Sequence, residues 1–173
     1  EITKDELDYL ETMIKEGMSL LVLSEALKPV KTLNILLEKY GLALKENYLF
    51  LHPKDPRVKL LGQDMAIVDE ITEHEINYGF SEKAAVTILM PQARSLKILN
   101  RNKSMYQTHK LILSQKSNFA LNGVENTKSF RKKSTRDLEG GEFILGAISQ
   151  GEPKRLTIAS KNSTSLDIKN KRN

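Results

Sequence analysis

Basic and amide side chains recur through the stretch MPQARSLKILNRNK, residues 90–103, at a spacing suited to contact with DNA. If residues 92–102 form a helix that turns about 100° per residue, Arg94, Lys97 and Arg101 share a stripe about 60° wide. The leucines of the stretch then lie on the opposite face, where they would pack on a neighbouring helix. In the major groove, Arg pairs with guanine, and Asn or Gln pairs with adenine. The pattern is typical of a base-reading helix, although three cations on one helix face are also common on solvated helices.

We predict DNA contacts in three parts of the chain. The helix just described supplies Gln92, Arg94, Ser95, Lys97, Asn100, Arg101 and Lys103. An earlier helix in acidic surroundings, for which packing, dimerisation or partner binding is the alternative, supplies Lys31, Thr32 and Asn34. A basic loop that would clamp a phosphate backbone or enter the minor groove supplies Lys128, Arg131, Lys132, Lys133 and Arg136. The alternative for that loop is a solvated surface segment or a localisation signal.

The charge of the chain is divided unevenly. The net charge is +5, but residues 1–80 hold nine Lys and Arg against fifteen Asp and Glu, whereas residues 81–173 hold eighteen against seven. The two parts therefore carry net charges of −6 and +11. A basic half indicates a polyanionic partner, with a solubilising basic surface as the alternative. The acidic N-terminal half would serve a homodimer contact or another protein.

Composition narrows the classes of site. The chain has no Cys, which excludes disulfides and Cys-based metal sites, and its three His are far apart in sequence. It contains neither a phosphate-binding glycine loop nor a nucleophile motif, so we expect no cofactor, no metal site and no catalytic residues. No run approaches the roughly 18 to 20 apolar residues that a membrane span needs. We expect a protein of the cytoplasm or nucleoid without membrane contact.

The elements that must position the predicted contacts are helices. Apolar residues at helical spacing predict helices over residues 5–16, 19–28 and 30–40. A polar helix is expected over about residues 63–77, followed by a second helical block over residues 80–103.

Two segments of this helical region resemble each other. GMSLLVLSEALKPVKTLNILLEKY begins at Gly17, and GFSEKAAVTILMPQARSLKILNRN begins at Gly79. Pro29 matches Pro91, and KTLNIL of the first segment matches RSLKIL of the second. The offset is longer than the repeats of solenoid proteins, so the match predicts duplication of a small helical unit. Chance similarity between two amphipathic helix pairs is the alternative.

Each copy has a lead helix, a short Ser-capped helix, a tight turn and a further helix, which is the layout of a helix-turn-helix. The stretch IKEGMSLLVLSEALKPVKTLNILLEKYGL resembles the broad helix-turn-helix family of DNA-binding proteins over residues 5–41, and the second copy resembles it more weakly over residues 69–103. The resemblance implies that the last helix of a unit enters the major groove. Both copies place a Pro before that helix, whereas many members of the family have a Gly in the turn.

After about residue 108 the apolar pattern changes to that of short strands. HKLILSQ, NFALNGV, EFILGAIS and RLTIAS are separated by turn residues and predict three or four antiparallel strands. The predicted fold class is α+β, with an N-terminal helical region of two helix-turn-helix-like units and a small antiparallel β region at the C-terminus. The predicted boundaries are 1–45 and 69–107 for the two units, 46–68 for a connecting strand and turn, 108–160 for the β region and 161–173 for a disordered tail.

We therefore expect a sequence-specific binding protein for double-stranded DNA, of the transcription-regulator or phage type, without enzyme activity of its own. One alternative is the DNA-recognition part of a Mg²⁺-dependent nuclease or recombinase, because Asp137, Glu152 and Lys154 resemble the metal-binding series of restriction-type nucleases. The other alternative is a protein-interaction module of transcription or packaging machinery.

Overall fold

The computed structural model describes residues 2–78, 88–99, 106–122 and 138–151. These residues form two β-sheets and three short α-helices. The predicted α+β class, with a helical N-terminal region of two helix-turn-helix-like units, is therefore wrong. The part of the chain that the structure describes is built mainly of antiparallel strands.

The α-helices of the described residues are short and all lie before residue 62. They are α1 (Lys4–Lys15), α2 (Lys31–Leu37) and α3 (Val58–Leu61), with 3-10 turns at Glu38–Tyr40 and Glu75–Asn77. A capping box starts α1, because the Thr3 hydroxyl accepts a hydrogen bond from the Glu6 N–H and the Glu6 carboxylate accepts one from the Thr3 N–H. Within the described ranges, no helix has the length and apolarity that crossing a membrane requires.

The strands fall into a large and a small sheet. They are β1 (Leu42–Leu44), β2 (Asn47–Leu51), β3 (Met65–Ile71), β4 (Leu89–Pro91), β5 (Leu96–Ile98), β6 (Tyr106–Ser114), β7 (Asn118–Asn122), β8 (Leu138–Gly140) and β9 (Ile144–Gly151). The large sheet has the order β1-β5-β9-β6-β3-β4, and the small sheet has the order β2-β7-β8. The register of the central β6–β9 pair runs from Tyr106 opposite Gly151 to Leu113 opposite Ile144.

Strand β2 lies at the centre of the fold and is buried along its whole length. Leu49 packs in one apolar cluster with Val68. Tyr48 and Phe50 pack in a second apolar cluster with Leu121. Because successive side chains of a strand point to opposite faces, β2 contributes to a core on each side.

A third apolar cluster attaches α2 to the large sheet. Its buried members are Val30, Leu37, Leu42 and Leu44, and Leu96 and Ile98 of β5 pack against them. The amide of Asn34 fixes the same contact, since it accepts a hydrogen bond from the Leu44 N–H at 2.8 Å and donates one to the Leu44 carbonyl at 2.9 Å. The helix is thereby tied to the backbone of β1.

Two of the predicted helices are observed in part. The helix expected over residues 5–16 is α1, and the helix expected over residues 30–40 is α2 with the 3-10 turn that follows it. Three of the predicted C-terminal strands are observed as β6, β7 and β9. RLTIAS and the predicted tail at residues 161–173 lie outside the described residues.

The helix predicted over residues 19–28 is wrong. A helix there would need the Ala26 N–H to bond the carbonyl of residue 22, four positions earlier. That N–H donates instead to the Gln92 carbonyl at 2.9 Å, and residues 18–25 form no helix. The helix predicted over residues 63–77 is also wrong, since Met65–Ile71 forms β3.

Over residues 92–99 the predicted helix is replaced by a turn and β5, and residues 100–102 lie outside the described residues. The Ala93 carbonyl accepts from the Leu49 N–H, and the Ser95 carbonyl accepts from the Lys45 N–H, both at 2.9 Å. These carbonyls are therefore used by other segments and are not available to a helix. The matched segments KTLNIL and RSLKIL consequently differ in structure, since the first forms α2 within Lys31–Leu37 and the second contains β5.

Asn118 joins the two sheets through a fully buried amide. Its oxygen accepts from the Ile67 N–H at 3.2 Å, and its nitrogen donates to the carbonyls of Phe50 at 3.3 Å and Met65 at 3.2 Å. Phe50 belongs to β2 in the small sheet, whereas Ile67 and Met65 belong to β3 in the large sheet. One side chain thus satisfies backbone groups from both sheets.

Replacing Asn118 with Leu is expected to lower the free energy of unfolding by about 3 kcal/mol, because buried backbone groups lose their partners. Urea unfolding followed by circular dichroism measures this change. Gln107→Ala, at an exposed position of β6, is the control and is expected to leave stability nearly unchanged. Equal stability of Asn118→Leu and the unmodified protein would show that the amide does not join the sheets.

Candidate functional site

Arg94, a central residue of the predicted recognition helix, is 5% exposed and points into the protein. Its guanidinium donates hydrogen bonds to the carbonyl oxygens of Glu25, Ala26, Lys28 and Lys45. Burial lowers the pKa of Arg94, and the Glu46 carboxylate opposes that shift. Backbone carbonyls therefore surround this cation. Its hydrogen bonds hold residues 25–28 and Lys45 in place, and it does not face solvent.

The neighbours of Arg94 divide between interior and surface. Ser95 is buried, and its N–H donates to the Asn47 side-chain oxygen at 3.0 Å while its hydroxyl accepts from the Asn47 side-chain nitrogen at 2.8 Å. Gln92 is exposed in a turn with a φ of 49°. Lys97 is exposed in the middle of β5. The structure describes four of the contacts predicted on the helix over residues 92–102, and of these Gln92 and Lys97 reach solvent.

The predicted contacts of the first copy lie on α2. Lys31 is exposed and Thr32 is half-buried. Both polar groups of the Asn34 amide are bonded to Leu44. The structure therefore gives Asn34 a role in attaching α2 to β1.

The remaining predicted contacts lie outside the described residues. They are Asn100, Arg101, Lys103, Lys128, Arg131, Lys132, Lys133 and Arg136. The series Asp137, Glu152 and Lys154 lies outside them as well.

An open groove with a volume of about 770 Å³ gathers charged side chains from separate strands. We call it the lysine groove, and its charged or titratable lining residues are Lys45, Lys97, His109, Lys110, Glu139 and Glu142. Strand pairing explains how they meet: Lys97 lies opposite Ala43 of β1, and the Lys45 N–H bonds the Ser95 carbonyl just before β5. β6 supplies His109 and Lys110, and β8 supplies Glu139.

The charges of the lysine groove are only partly compensated. The Lys45 ammonium lies 3.9 Å from the Glu139 carboxylate, which is a loose and solvated ion pair. Lys97 and Lys110 are exposed, and neither has a carboxylate within 4.0 Å among the residues that the structure describes. Two cations on different strands therefore face the groove without a partner from the described chain.

Among the described lining residues of the groove, the exposed ring is the imidazole of His109. Phe143, its one aromatic residue besides His109, is 5% exposed and packs in the first apolar cluster. The imidazole of His109 lies 5.3 Å from that of His74, centroid to centroid, at an interplanar angle of 51°. Within the described ranges, no three His, Asp or Glu side chains cluster as metal ligands.

The predicted contact set omitted Lys45, His109 and Lys110. A helical wheel over residues 92–102 places Lys97 in one stripe with Arg94. In the structure, however, Arg94 is buried and Lys97 is exposed. The alternation of half-buried Leu96, exposed Lys97 and half-buried Ile98 is the period of a strand. That alternation was the one signal in the sequence for a cation on a sheet.

Comparison of the chain with protein-family models, with curated proteins and with solved structures finds no match.

Arg94→Met keeps much of the volume of the side chain but removes the charge and the hydrogen-bond donors. We expect the free energy of unfolding to fall by about 3 kcal/mol, because four carbonyls at or near the interior lose their partner. Lys97→Met, three positions away and exposed, is the matched control and should change stability by less than about 0.5 kcal/mol. Thermal and urea unfolding of both variants measure the difference. If the two variants are equally stable, the guanidinium is not needed for the fold.

Proposed function

We propose that this protein binds double-stranded DNA by contacting the phosphate backbone with the lysine groove. The observation that carries the proposal is the pair of uncompensated cations, Lys97 on β5 and Lys110 on β6, which face one open groove. An ammonium group without a carboxylate partner retains its full attraction for a phosphate oxygen. Lys45 adds a third cation whose loose contact with Glu139 a phosphate can replace.

Chain connectivity adds positive charge next to the groove strands. The segment that links β5 to β6 carries Arg101 and Lys103. The segment that links β7 to β8 carries Lys128, Arg131, Lys132, Lys133 and Arg136. Both segments begin or end at a strand that lines the groove, and they carry seven of the eighteen Lys and Arg of residues 81–173.

The lining of the groove favours backbone contact over base stacking. Proteins that hold single strands use exposed aromatic rings on which bases stack. The Phe143 ring is buried, and the groups of the groove that reach solvent are ammonium and carboxylate side chains and the single imidazole of His109. Lysine contacts to phosphate carry no sequence information, so we expect weak sequence preference.

The double variant Lys97→Gln with Lys110→Gln removes the two cations without reversing charge. We expect it to weaken binding to a fluorescent DNA duplex and to reduce the slope of log K against log salt by about 1.8, that is about 0.9 for each lost phosphate contact. Fluorescence anisotropy over a range of salt concentrations measures both quantities.

The control is the double variant Lys54→Gln with Lys59→Gln, which removes the same charge from exposed positions outside the groove. It should leave the salt slope nearly unchanged. An equal loss in both double variants would mean that net charge, and not the groove, drives binding. No binding of the unmodified protein at low salt would refute the proposal.

A further inference from the structure

The segment Met18–Ser24, which we call the apolar edge, belongs to no helix or strand and exposes large side chains. Leu21 is 80% exposed, Leu23 is 86% exposed, Met18 is 52% exposed and Leu20 is 40% exposed. Val22 and Ser24 are half-buried, and Val22 packs against the third apolar cluster. The alternation of Leu21 and Leu23 with Val22 and Ser24 is that of a strand with one face on the protein.

The backbone of the apolar edge has no partner in the described part of the chain. None of the N–H groups of residues 19–25 donates a hydrogen bond there, and no carbonyl of residues 18–24 accepts one. The ends of the segment are nevertheless fixed. The Met18 N–H bonds the Met13 carbonyl at 3.0 Å, and the Ala26 N–H bonds the Gln92 carbonyl at 2.9 Å. Both ends of the apolar edge are thus fixed before any partner arrives, which reduces the entropy lost on pairing.

We propose that the apolar edge pairs antiparallel with the same segment of a second copy of this chain. From Gly17 to Ser24 the sequence has no charged residue and no Pro, the two devices that normally keep an exposed edge from pairing. A two-fold axis at Leu21 sets that residue opposite its own copy and sets Leu23 opposite Ser19. The pairing satisfies the free backbone groups of alternate residues, those on the facing edge, and covers the two most exposed leucines of the segment.

The charges at the ends of the apolar edge suit self-pairing. Lys15 and Glu16 precede it, and Glu25 and Lys28 follow it. Antiparallel pairing brings the first end of one copy to the second end of the other, so each end of the joined strands collects two acids and two bases. The balance leaves no net repulsion, whereas an acidic or basic peptide would gain nothing from these ends.

The size of the contact sets the strength of the association. A strand of seven residues is about 23 Å long. Its exposed side chains amount to less than the roughly 800 Å² per partner of a stable interface. The dimer is therefore weak, with a dissociation constant on the order of 10 µM or above, and forms without DNA.

Sedimentation velocity of the full chain over a wide range of concentrations, without DNA, tests the pairing. The unmodified protein should shift from monomer to dimer as concentration rises. Leu21→Lys places a charge at the two-fold axis and should abolish the shift. Leu60→Lys, at a leucine of α3 that is 87% exposed, is the matched control and should retain it. A monomer at all concentrations, or a dimer that survives Leu21→Lys, overturns the proposal.

The absence of Cys allows a second test that does not depend on tight binding. Leu21→Cys should form a disulfide-linked dimer under mild oxidation far faster than Leu60→Cys, because only the first thiol meets its own copy at the axis. Equal rates would overturn the proposal. Hydrogen exchange distinguishes the remaining outcome: amides of residues 19–25 should become protected only as concentration rises. Protection that is independent of concentration would mean that the chain covers its own edge, which also overturns the proposal.

Discussion

The buried guanidinium of Arg94 is the contact on which the arrangement of the first hundred residues depends. It binds the carbonyls of Glu25, Ala26 and Lys28 together with that of Lys45. Burying a cation costs free energy unless hydrogen-bond acceptors surround it. The position of Arg94 therefore determines where these carbonyls lie. The turn after the apolar edge, the end of β1 and the start of β5 are thereby fixed around one side chain.

Two surfaces follow from this arrangement. Because residues 93–95 are held inside, β5 leaves the interior with Lys97 on its exposed side and Leu96 and Ile98 against α2. Lys97 and Lys110 therefore both line the lysine groove. Because residues 25–28 are held at the guanidinium, the chain before them lies at the surface and exposes its leucines. A cation-lined groove and an apolar edge thus have a common structural origin, although they suit different partners.

The sequence predicts those elements that local interactions determine. The helical spacing of Leu7 and its neighbours identifies α1, and compact apolar runs identify β6, β7 and β9. Prediction from the sequence fails where the backbone hydrogen bonds of a segment go to distant residues, as in the helices predicted over residues 19–28 and 92–102. KTLNIL and RSLKIL have the same apolar pattern, but the first packs as α2 and the second pairs with β1 as β5. Periodicity in six residues is too short to decide between these outcomes.

The candidate site was predictable only in its chemistry. Basic composition beyond residue 80 indicates a polyanionic partner from sequence alone, and Lys97 was among the predicted contacts. Which cations share a surface depends on strand order, and that order brings β5, β6, β8 and Lys45, which follows β1, to one groove from distant positions in the chain. The burial of Arg94 has no local signature, since a basic residue followed by alternating apolar residues is equally typical of a surface helix.

An NMR titration of the labelled protein with a DNA duplex tests the central claim most directly, because it locates the contact surface without altering any residue. If the lysine groove binds DNA, the largest chemical-shift changes are expected at Lys45, Lys97, His109 and Lys110. The side chain of Arg94 and the amides of α2 should be unaffected. Changes centred on α2, or a displaced Arg94 side chain, would contradict it.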